Sequence, residues 1–202
     1  MPLVPPSERR RAIETAAYGL LAEKGYVGMT ISALARRARA SNETLYNWYG
    51  DKAGLVAALI SANAETTTRE LEAALANDGP ALACLEHLGP TLLTLLTGDR
   101  AVALNRAAAA DGTGALGQML AELGRGTVGP LITATIARAV DEGALHDAPE
   151  DLFGLYMSLL VGDLQIRRCI GVMPMPSGSE VQNRAATAWT QFIRLAGAPR
   201  DG

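Results

Sequence analysis

The chain has 202 residues, of which 49% are hydrophobic and only 4% aromatic, a composition that favours packed helices over sheets. Its apolar runs are too short to span a bilayer and residues 1–11 lack a signal-peptide stretch, so we expect a cytoplasmic protein without a membrane partner. The net charge of −3 divides into +3 for residues 1–52 and −6 for residues 53–202, which suits a phosphate-binding head on an acidic body.

Three helices are predicted near the N-terminus. Apolar residues recur every three or four positions over 8–24, and Gly25 can end this first helix. Thr30 can cap a second helix of about two and a half turns, and Ser41 can cap a third over 42–49. Two short helices joined by a tight turn form a helix-turn-helix.

The rest of the chain is also predicted to be helical. Asp51 can cap a long helix that continues toward Ala76, and no segment shows the sustained alternation of a strand. We therefore expect an all-α fold, in which an N-terminal three-helix domain with the helix-turn-helix (1–50) is joined by a long helix to a C-terminal helical domain (51–202). Further helices are expected near 81–97, 100–110, 114–124, 128–142, 149–170 and 179–196.

Several residues of the predicted helix-turn-helix suit contacts with double-stranded DNA. The helix N-termini at Thr30 and Ser41 present unpaired N–H groups to phosphate oxygens. At the start of the recognition helix, Asn42, Glu43 and Thr44 are placed to read base edges in the major groove, with Asn suited to adenine and Glu to the amino group of cytosine. The other candidates for DNA contact are Arg39, Tyr46, Asn47, Trp48 and Lys52.

The run Thr-Ile-Ser-Ala-Leu-Ala-Arg-Arg-Ala from Thr30, followed by Ser-Asn-Glu-Thr-Leu-Tyr-Asn-Trp-Tyr-Gly-Asp-Lys from Ser41, resembles the DNA-binding domain of the TetR family of bacterial repressors. The C-terminal region is similar, in helix number and length, to the AefR-like part of that family. The resemblance implies a homodimer that represses transcription from a palindromic operator and leaves it when a small effector binds. Two departures are Arg39, where Gly is usual, and Asn42-Glu43, where a basic residue and Gly are common, so the operator sequence cannot be inferred from relatives.

The C-terminal region carries two sets of candidate residues, one for dimerisation and one for effector binding. Both sets are apolar and could equally fill a monomer core. The first set, spaced for a four-helix contact between two copies, is Leu155, Leu159, Gly162, Ile166, Ala185, Ala188, Trp189 and Phe192. The second, suited to a cavity for a small, mostly apolar molecule with Tyr156 as its polar handle, is Leu92, Leu96, Leu104, Met119, Leu123, Phe153, Tyr156 and Met157.

Other patterns in the sequence point elsewhere. Gly112–Gly117 matches the GxGxxG of dinucleotide-binding enzymes, but an Ala-rich helical run precedes it instead of a strand, so we expect no enzyme and no cofactor. Cys84 and Cys169 lack zinc-site spacing, as do His87 and His146, so no metal site is expected. A helix-turn-helix activator or thiol sensor without an effector remains the alternative function.

Overall fold

The computed structural model describes residues 6–76, 79–146 and 148–197. Within these ranges every regular element is a helix, and the one β-type pairing is an isolated bridge between Leu145 and Gly197. The predicted all-α fold is thereby confirmed. None of these helices is long and apolar enough to cross a membrane. They are α1 (Pro6–Gly28), α2 (Ile31–Ala38), α3 (Asn42–Tyr49), α4 (Lys52–Leu75), α5 (Ala81–Thr97), α6 (Asp99–Ala110), α7 (Ala115–Asp141), α8 (Pro149–Leu160), α9 (Leu164–Cys169) and α10 (Gly178–Ala196).

The described residues form two compact units. Unit 1 contains residues 6–63 and 103–121, and unit 2 contains residues 64–102 and 122–197. The helix-turn-helix lies wholly in unit 1, together with the end of α6 and the start of α7. These units reflect compactness and not function, so the functional domain boundary expected between residues 50 and 51 stays a prediction.

Helix α1 positions the other helices of unit 1. Its buried face carries Ile13, Ala17 and Leu20, the spacing of three and four that the sequence shows. Gly25 has φ 66° and ψ 177°, which interrupts the helical geometry where the sequence predicts an end. Glycine adopts this conformation at low cost because it has no side chain. The chain can therefore change direction at Gly25 before α2 begins.

The core of unit 2 combines aliphatic side chains with aromatic rings that contact one another. Phe192 of α10 is fully buried and contacts Tyr156 of α8 edge to face, with 5.4 Å between ring centroids. The Tyr156 hydroxyl donates a 2.9 Å hydrogen bond to the carbonyl oxygen of Leu85 in α5. Because this phenol is buried, its pKa lies well above the ordinary value. These contacts bring α5, α8 and α10 together.

Helix α9 contributes polar side chains to the end of α5. Gln165 donates to the carbonyl of Leu96 at 3.0 Å, and Arg168 donates through Nε to the carbonyl of Thr97, also at 3.0 Å. The last carbonyls of a helix have no partner within it. Arg168 is buried and its guanidinium also pairs with Asp99, at the start of α6. A six-residue helix therefore anchors the turn between α5 and α6.

Two predicted helices, 114–124 and 128–142, are wrong as separate elements, because α7 runs from Ala115 to Asp141 without a break. Gly124, Gly126 and Pro130 lie within it. Pro130 removes one hydrogen bond, to the carbonyl of Gly126, but both residues are exposed, so water can bond that oxygen. Helix-breaking residues therefore do not end α7.

The single helix expected over 149–170 is also wrong, because α8 ends at Leu160 and α9 begins at Leu164. Gly162 has φ 50° between them, which no regular helix contains. Arg184 of α10 donates to the carbonyls of Leu159 at 2.6 Å and Leu160 at 2.9 Å. This arginine thus bonds the carbonyls that a continuing helix would have used.

Candidate nucleic-acid interface

Helix α2 begins at a side-chain cap. The Thr30 hydroxyl accepts a 3.1 Å hydrogen bond from the backbone N–H of Ala33. Ile31, Leu34 and Ala35 are buried, and the Thr30 side is exposed. Burial of one face against α1 therefore fixes which end and which side of α2 remain open to a partner.

The turn after α2 contains the residue that departs from the family pattern. Arg39 has φ 52° and ψ 40°, and it is the one described residue other than glycine with a positive φ. Its N–H and that of Ala40 bond the carbonyls at the end of α2, as glycine does in a left-handed C-cap. The Arg39 side chain is exposed, so a charge stands where glycine would leave none.

Helix α3 has a cap of the same kind. The Ser41 hydroxyl oxygen accepts from the N–H of Thr44 at 3.0 Å, and the two hydroxyl oxygens lie 2.8 Å apart. One of the two hydroxyl groups donates its hydrogen to the other, so the second hydroxyl hydrogen remains available for a partner. Leu45 is fully buried beneath the helix, so the cap and one apolar contact set the orientation of α3.

The outward face of α3 carries polar and aromatic side chains. Asn42, Glu43 and Asn47 are exposed. Tyr46 is 54% exposed and Trp48 is 40% exposed, unusual values for large aromatic residues on an eight-residue helix. The structure therefore leaves these five candidates of α3 open to a partner, whereas Thr44, the third base-reading candidate, is partly buried.

Lys52 has an intramolecular partner that the sequence did not suggest. Its Nζ donates to the carbonyl of Tyr26 at 3.1 Å and lies 4.3 Å from the centroid of that ring. An ammonium has three donors, so two remain for a phosphate. The missed residue is Tyr26, which is 26 positions away and follows no spacing rule that would relate it to Lys52.

A second missed contact joins the first two helices. Arg37 donates from Nη1 to Glu23 Oε1 at 2.7 Å. A side chain at Gly19 would meet this guanidinium, since an added Cβ would lie 2.7 Å from Nη2. Both Arg36 and Arg37 are exposed, but Arg37 pairs with Glu23 of α1. Charge count alone could not distinguish these two arginines.

The two partly buried tyrosines of this surface stay neutral donors. Burial chiefly raises the pKa of Tyr26, with Asp111 and Asp51 adding to the rise. Burial likewise raises the pKa of Tyr49, Glu14 raises it further, and Arg10 acts in the opposite direction. Since an ordinary tyrosine already titrates near 10, both hydroxyls keep their protons at neutral pH.

The residues expected to line an effector cavity are divided between the two units. Leu104 and Met119 lie in unit 1 and Leu123 in unit 2. The other five belong to or pack against the core of unit 2, where the donor of Tyr156 is already used. They are Leu92, Leu96, Phe153, Tyr156 and Met157.

The residues expected at a dimer interface also differ in exposure. Ala185, Ala188 and Phe192 are buried in the core of the chain itself. Leu155, Leu159 and Trp189 are partly buried, Gly162 is exposed, and Ile166 is 62% exposed. Direct contact with a second copy is therefore open to the exposed and partly buried members of the set.

The glycine-rich motif and the two cysteines lie where the structure describes no nucleotide or metal site. Gly112 and Gly114 form the turn that follows α6, so a helix stands where a dinucleotide-binding motif has a strand. Cys84 is buried and Cys169 is partly buried. Among residues 6–76, 79–146 and 148–197, no group of His, Cys, Asp and Glu could hold a metal ion.

Comparison with known proteins agrees with this geometry. The family described as bacterial regulatory proteins, tetR family, matches residues 13–59, and the AefR-like transcriptional repressor C-terminal domain matches residues 83–196. YdeS, an HTH-type transcriptional regulator of Bacillus subtilis (strain 168), is 44% identical over 46 residues, which are 23% of each chain. The match thus spans less than a quarter of that curated relative.

Solved structures resemble the chain over nearly its whole length. A TetR-family regulator from Mesorhizobium loti is 20% identical, with a TM-score of 0.82 over 97% of this chain and 100% of its own. A TetR transcriptional regulator from Agrobacterium tumefaciens is 30% identical, with a TM-score of 0.77 over 96% of each. Together with the two matched regions, this shows that the chain belongs to the TetR family of DNA-binding transcriptional regulators.

Proposed function

We propose that this protein is a repressor that binds a palindromic operator as a homodimer and leaves it when a small, mostly apolar effector binds. The observation that carries the proposal is the open face of α3, because capping by Ser41 and burial of Leu45 hold its polar and aromatic side chains outward. A short helix held in this way can enter a major groove. A regulator of bacterial genes acts in the cytoplasm, where the DNA lies.

Base reading is assigned to the first turn of α3. Asn42 suits adenine and Glu43 suits the amino group of cytosine, since each can pair with that base in the major groove. Thr44 shares a hydroxyl hydrogen bond with Ser41, so we assign it a contact through the remaining hydroxyl hydrogen or its methyl group. Tyr46, Asn47 and Trp48 contact phosphates from the exposed side of the helix.

Effector binding is assigned to the body of the protein. The large apolar core of unit 2 and the family support this assignment. SmeT, which was solved as a complex with triclosan, is 18% identical, with a TM-score of 0.76 over 96% of this chain and 93% of its own. It shares the fold alone, so triclosan is a first compound to test and not an identified effector.

Sequence-specific binding is tested with a random duplex library from which the wild-type protein selects its sites. We expect a palindrome whose half-sites lie about one helical turn apart. Changing Asn42 to Ala should relax the preference at one position of each half-site, whereas Asn183→Ala, an exposed change on α10, should not. Failure to select any sequence over bulk DNA would contradict the proposal.

The effector is sought by thermal unfolding in the presence of apolar compounds, starting with triclosan. A compound that binds the folded state raises its stability, by about 2.7 kcal/mol at one hundred times its dissociation constant. The same compound should release the protein from its selected duplex. The thiol-sensor alternative predicts that mild oxidation abolishes DNA binding, that a thiol restores it, and that Cys84→Ser or Cys169→Ser prevents the loss. We expect oxidation to leave DNA binding of the wild-type protein unchanged.

A further inference from the structure

One buried hydroxyl of unit 2 has no hydrogen-bond partner. The side-chain oxygen of Thr68, on α4, is inaccessible to solvent and forms no hydrogen bond within the described part of the chain. A buried hydroxyl in this state has lost its hydration without replacement, and such groups are rare in folded proteins. The oxygen of Thr68 therefore suits a partner that the chain itself does not supply.

Other threonines in the helices of unit 2 donate to the backbone of their own helix. The Thr97 hydroxyl donates to the carbonyl of Leu93 at 2.7 Å, and the Thr135 hydroxyl donates to the carbonyl of Leu131 at 3.1 Å. This bond to the carbonyl four residues earlier is a common way to satisfy a hydroxyl inside a helix. Thr68 does not form it, so its hydroxyl can still donate and accept.

Thr68 lies on the side of α4 that packs against the interior of unit 2. Leu71, three residues later, is fully buried in the apolar core, and Leu75 packs against the same core. Residues three and four apart share one face of a helix, so the Thr68 side chain adjoins this core. Ala64 precedes Thr68 on that face and has only a small side chain. The hydroxyl is therefore a polar group at the edge of an apolar region, as in many small-molecule sites.

The stretch of α4 around Thr68 is less tightly enclosed than the stretch that follows it. None of residues 64–70 is fully buried, and Thr68 itself is partly buried although its oxygen is covered. Leu71, in contrast, has no exposed surface. Side chains at partly exposed positions change rotamer readily, so a small displacement is enough to present the hydroxyl to a molecule that enters the core.

The other polar groups of unit 2 limit the chemistry of that molecule. The hydroxyl hydrogen of Tyr156 is already donated to the carbonyl of Leu85. Arg168 is the one buried cation among the described residues, and its guanidinium already bonds Thr97 and Asp99. A carboxylate that entered the core would lose its hydration without a buried cation to pair with. The ligand is therefore expected to be neutral.

We infer that Thr68 hydrogen-bonds a neutral oxygen, of a hydroxyl or a carbonyl group, on a mostly apolar effector. The inference rests on the proposed function, which supplies the effector, and adds its chemical class. A threonine hydroxyl can both donate and accept, so it suits either kind of oxygen. The unpaired hydroxyl destabilises the ligand-free protein, and only a ligand with such an oxygen removes that cost.

The test compares pairs of compounds that differ only in this oxygen. Para-chlorophenol is paired with para-chlorotoluene, acetophenone with isopropenylbenzene, and triclosan with its analogue that carries a methyl group in place of the hydroxyl. Thermal unfolding and calorimetric titration measure binding to the full chain. We expect the wild-type protein to bind at least one oxygen compound about tenfold more tightly than its partner, as one additional hydrogen bond allows. Thr68→Val keeps the shape of the side chain without the hydroxyl and should abolish this preference.

Two variants and one further measurement serve as controls. Thr68→Ser keeps the hydroxyl and should retain the preference for oxygen compounds. Thr97→Val removes a buried hydroxyl that is already bonded to its own helix and should retain the preference as well. Without ligand, Thr68→Val should raise the melting temperature by roughly 2–4 °C, because a methyl group replaces an unpaired hydroxyl. Loss of the preference in a more stable variant cannot result from unfolding.

The outcomes separate the inference from the proposed function. The inference is overturned if the wild-type protein binds no oxygen compound of the panel, if both members of every pair bind equally, or if Thr68→Val retains the preference. A lower melting temperature for Thr68→Val would also overturn it, because the hydroxyl would then have a partner within the chain. If an oxygen compound binds through Thr68 but does not release the selected duplex, the proposed function fails and the ligand site at Thr68 stands.

Discussion

At the scale of single residues, Arg39 combines a backbone conformation that costs stability with a positive charge in the predicted DNA-binding surface. A left-handed residue that carries a side chain costs about 1 kcal/mol relative to glycine, and Arg39 has φ 52°. Arg39→Gly should therefore raise the free energy of unfolding by about that amount and also weaken DNA binding, because a basic group is lost. Urea denaturation measures the first effect, and the slope of log affinity against log salt, the salt slope, measures the second.

The control for this prediction is Arg39→Ala. It removes the same charge and keeps a Cβ in the left-handed region, so it should weaken DNA binding without the gain in stability. If the Gly and Ala variants unfold at the same urea concentration, backbone strain at this turn is not the cause. If both variants bind DNA as wild type does, the Arg39 side chain contacts no phosphate.

Lys52 is the other residue with two competing roles. Its Nζ bonds the carbonyl of Tyr26 and lies over that ring, and it is also the predicted phosphate clamp. If it contacts a phosphate, Lys52→Ala should lower the salt slope of operator binding by about one. If Lys52 only stabilises the fold, Lys52→Ala should instead lower the free energy of unfolding and leave the salt slope unchanged. Glu70→Ala, a change to an exposed residue later in α4, is the matched control.

At the scale of helices, local signals were predictable and distant ones were not. The caps by Thr30 and Ser41 are visible in the sequence, because a hydroxyl bonds an N–H three residues later. The break after α8 is not, because the carbonyls that it leaves are bonded by Arg184, 24 and 25 positions away. Polar side chains that cap a helix from another element have no periodicity to reveal them.

The role of Arg184 in ending α8 can be measured. Arg184→Met keeps much of the aliphatic length but leaves the carbonyls of Leu159 and Leu160 without this partner. Hydrogen bonds from a charged donor contribute about 1.5–3 kcal/mol when buried, and partial exposure of Arg184 reduces the expected loss to about 1–2 kcal/mol. The melting temperature should fall by roughly 2–8 °C.

Arg194→Met provides the comparison on the same helix. Arg194 lies in the last turn of α10 and is exposed, so its replacement should change the melting temperature by much less. An equal fall in both variants would show that loss of positive charge on α10, and not loss of the cap on α8, causes the destabilisation. The test therefore concerns the origin of the break in a helix that sequence periodicity predicts to be continuous.

At the scale of the whole molecule, the sequence predicted the fold class and the family better than it predicted which apolar residues pack within the chain. Ala185, Ala188 and Phe192 follow the same spacing as a dimer stripe, yet they are buried within the chain. Spacing identifies the side of a helix that packs, but it does not say whether the partner is the same chain or a second copy. Only exposure in the folded monomer distinguishes the two.

Exposure therefore directs the test of the proposed dimer to Ile166. This side chain is 62% exposed on α9, so Ile166→Glu should not disturb the monomer fold. An interface would have to desolvate the new carboxylate, which is costly without a partner, so the dimer dissociation constant should rise at least tenfold, or about 1.4 kcal/mol. Sedimentation equilibrium measures this change, and thermal unfolding confirms that the variant is folded.

Val27→Glu is the matched control, because Val27 is 77% exposed and lies in unit 1, far along the sequence from the predicted dimer residues. It introduces the same charge in place of an apolar side chain and should leave the association state unchanged. Weaker dimerisation should also weaken binding to a full palindrome more than to a single half-site, since only a dimer joins two heads. Unchanged association of Ile166→Glu would exclude this residue from the interface and leave Leu155, Leu159, Gly162 and Trp189 as the candidates to test next.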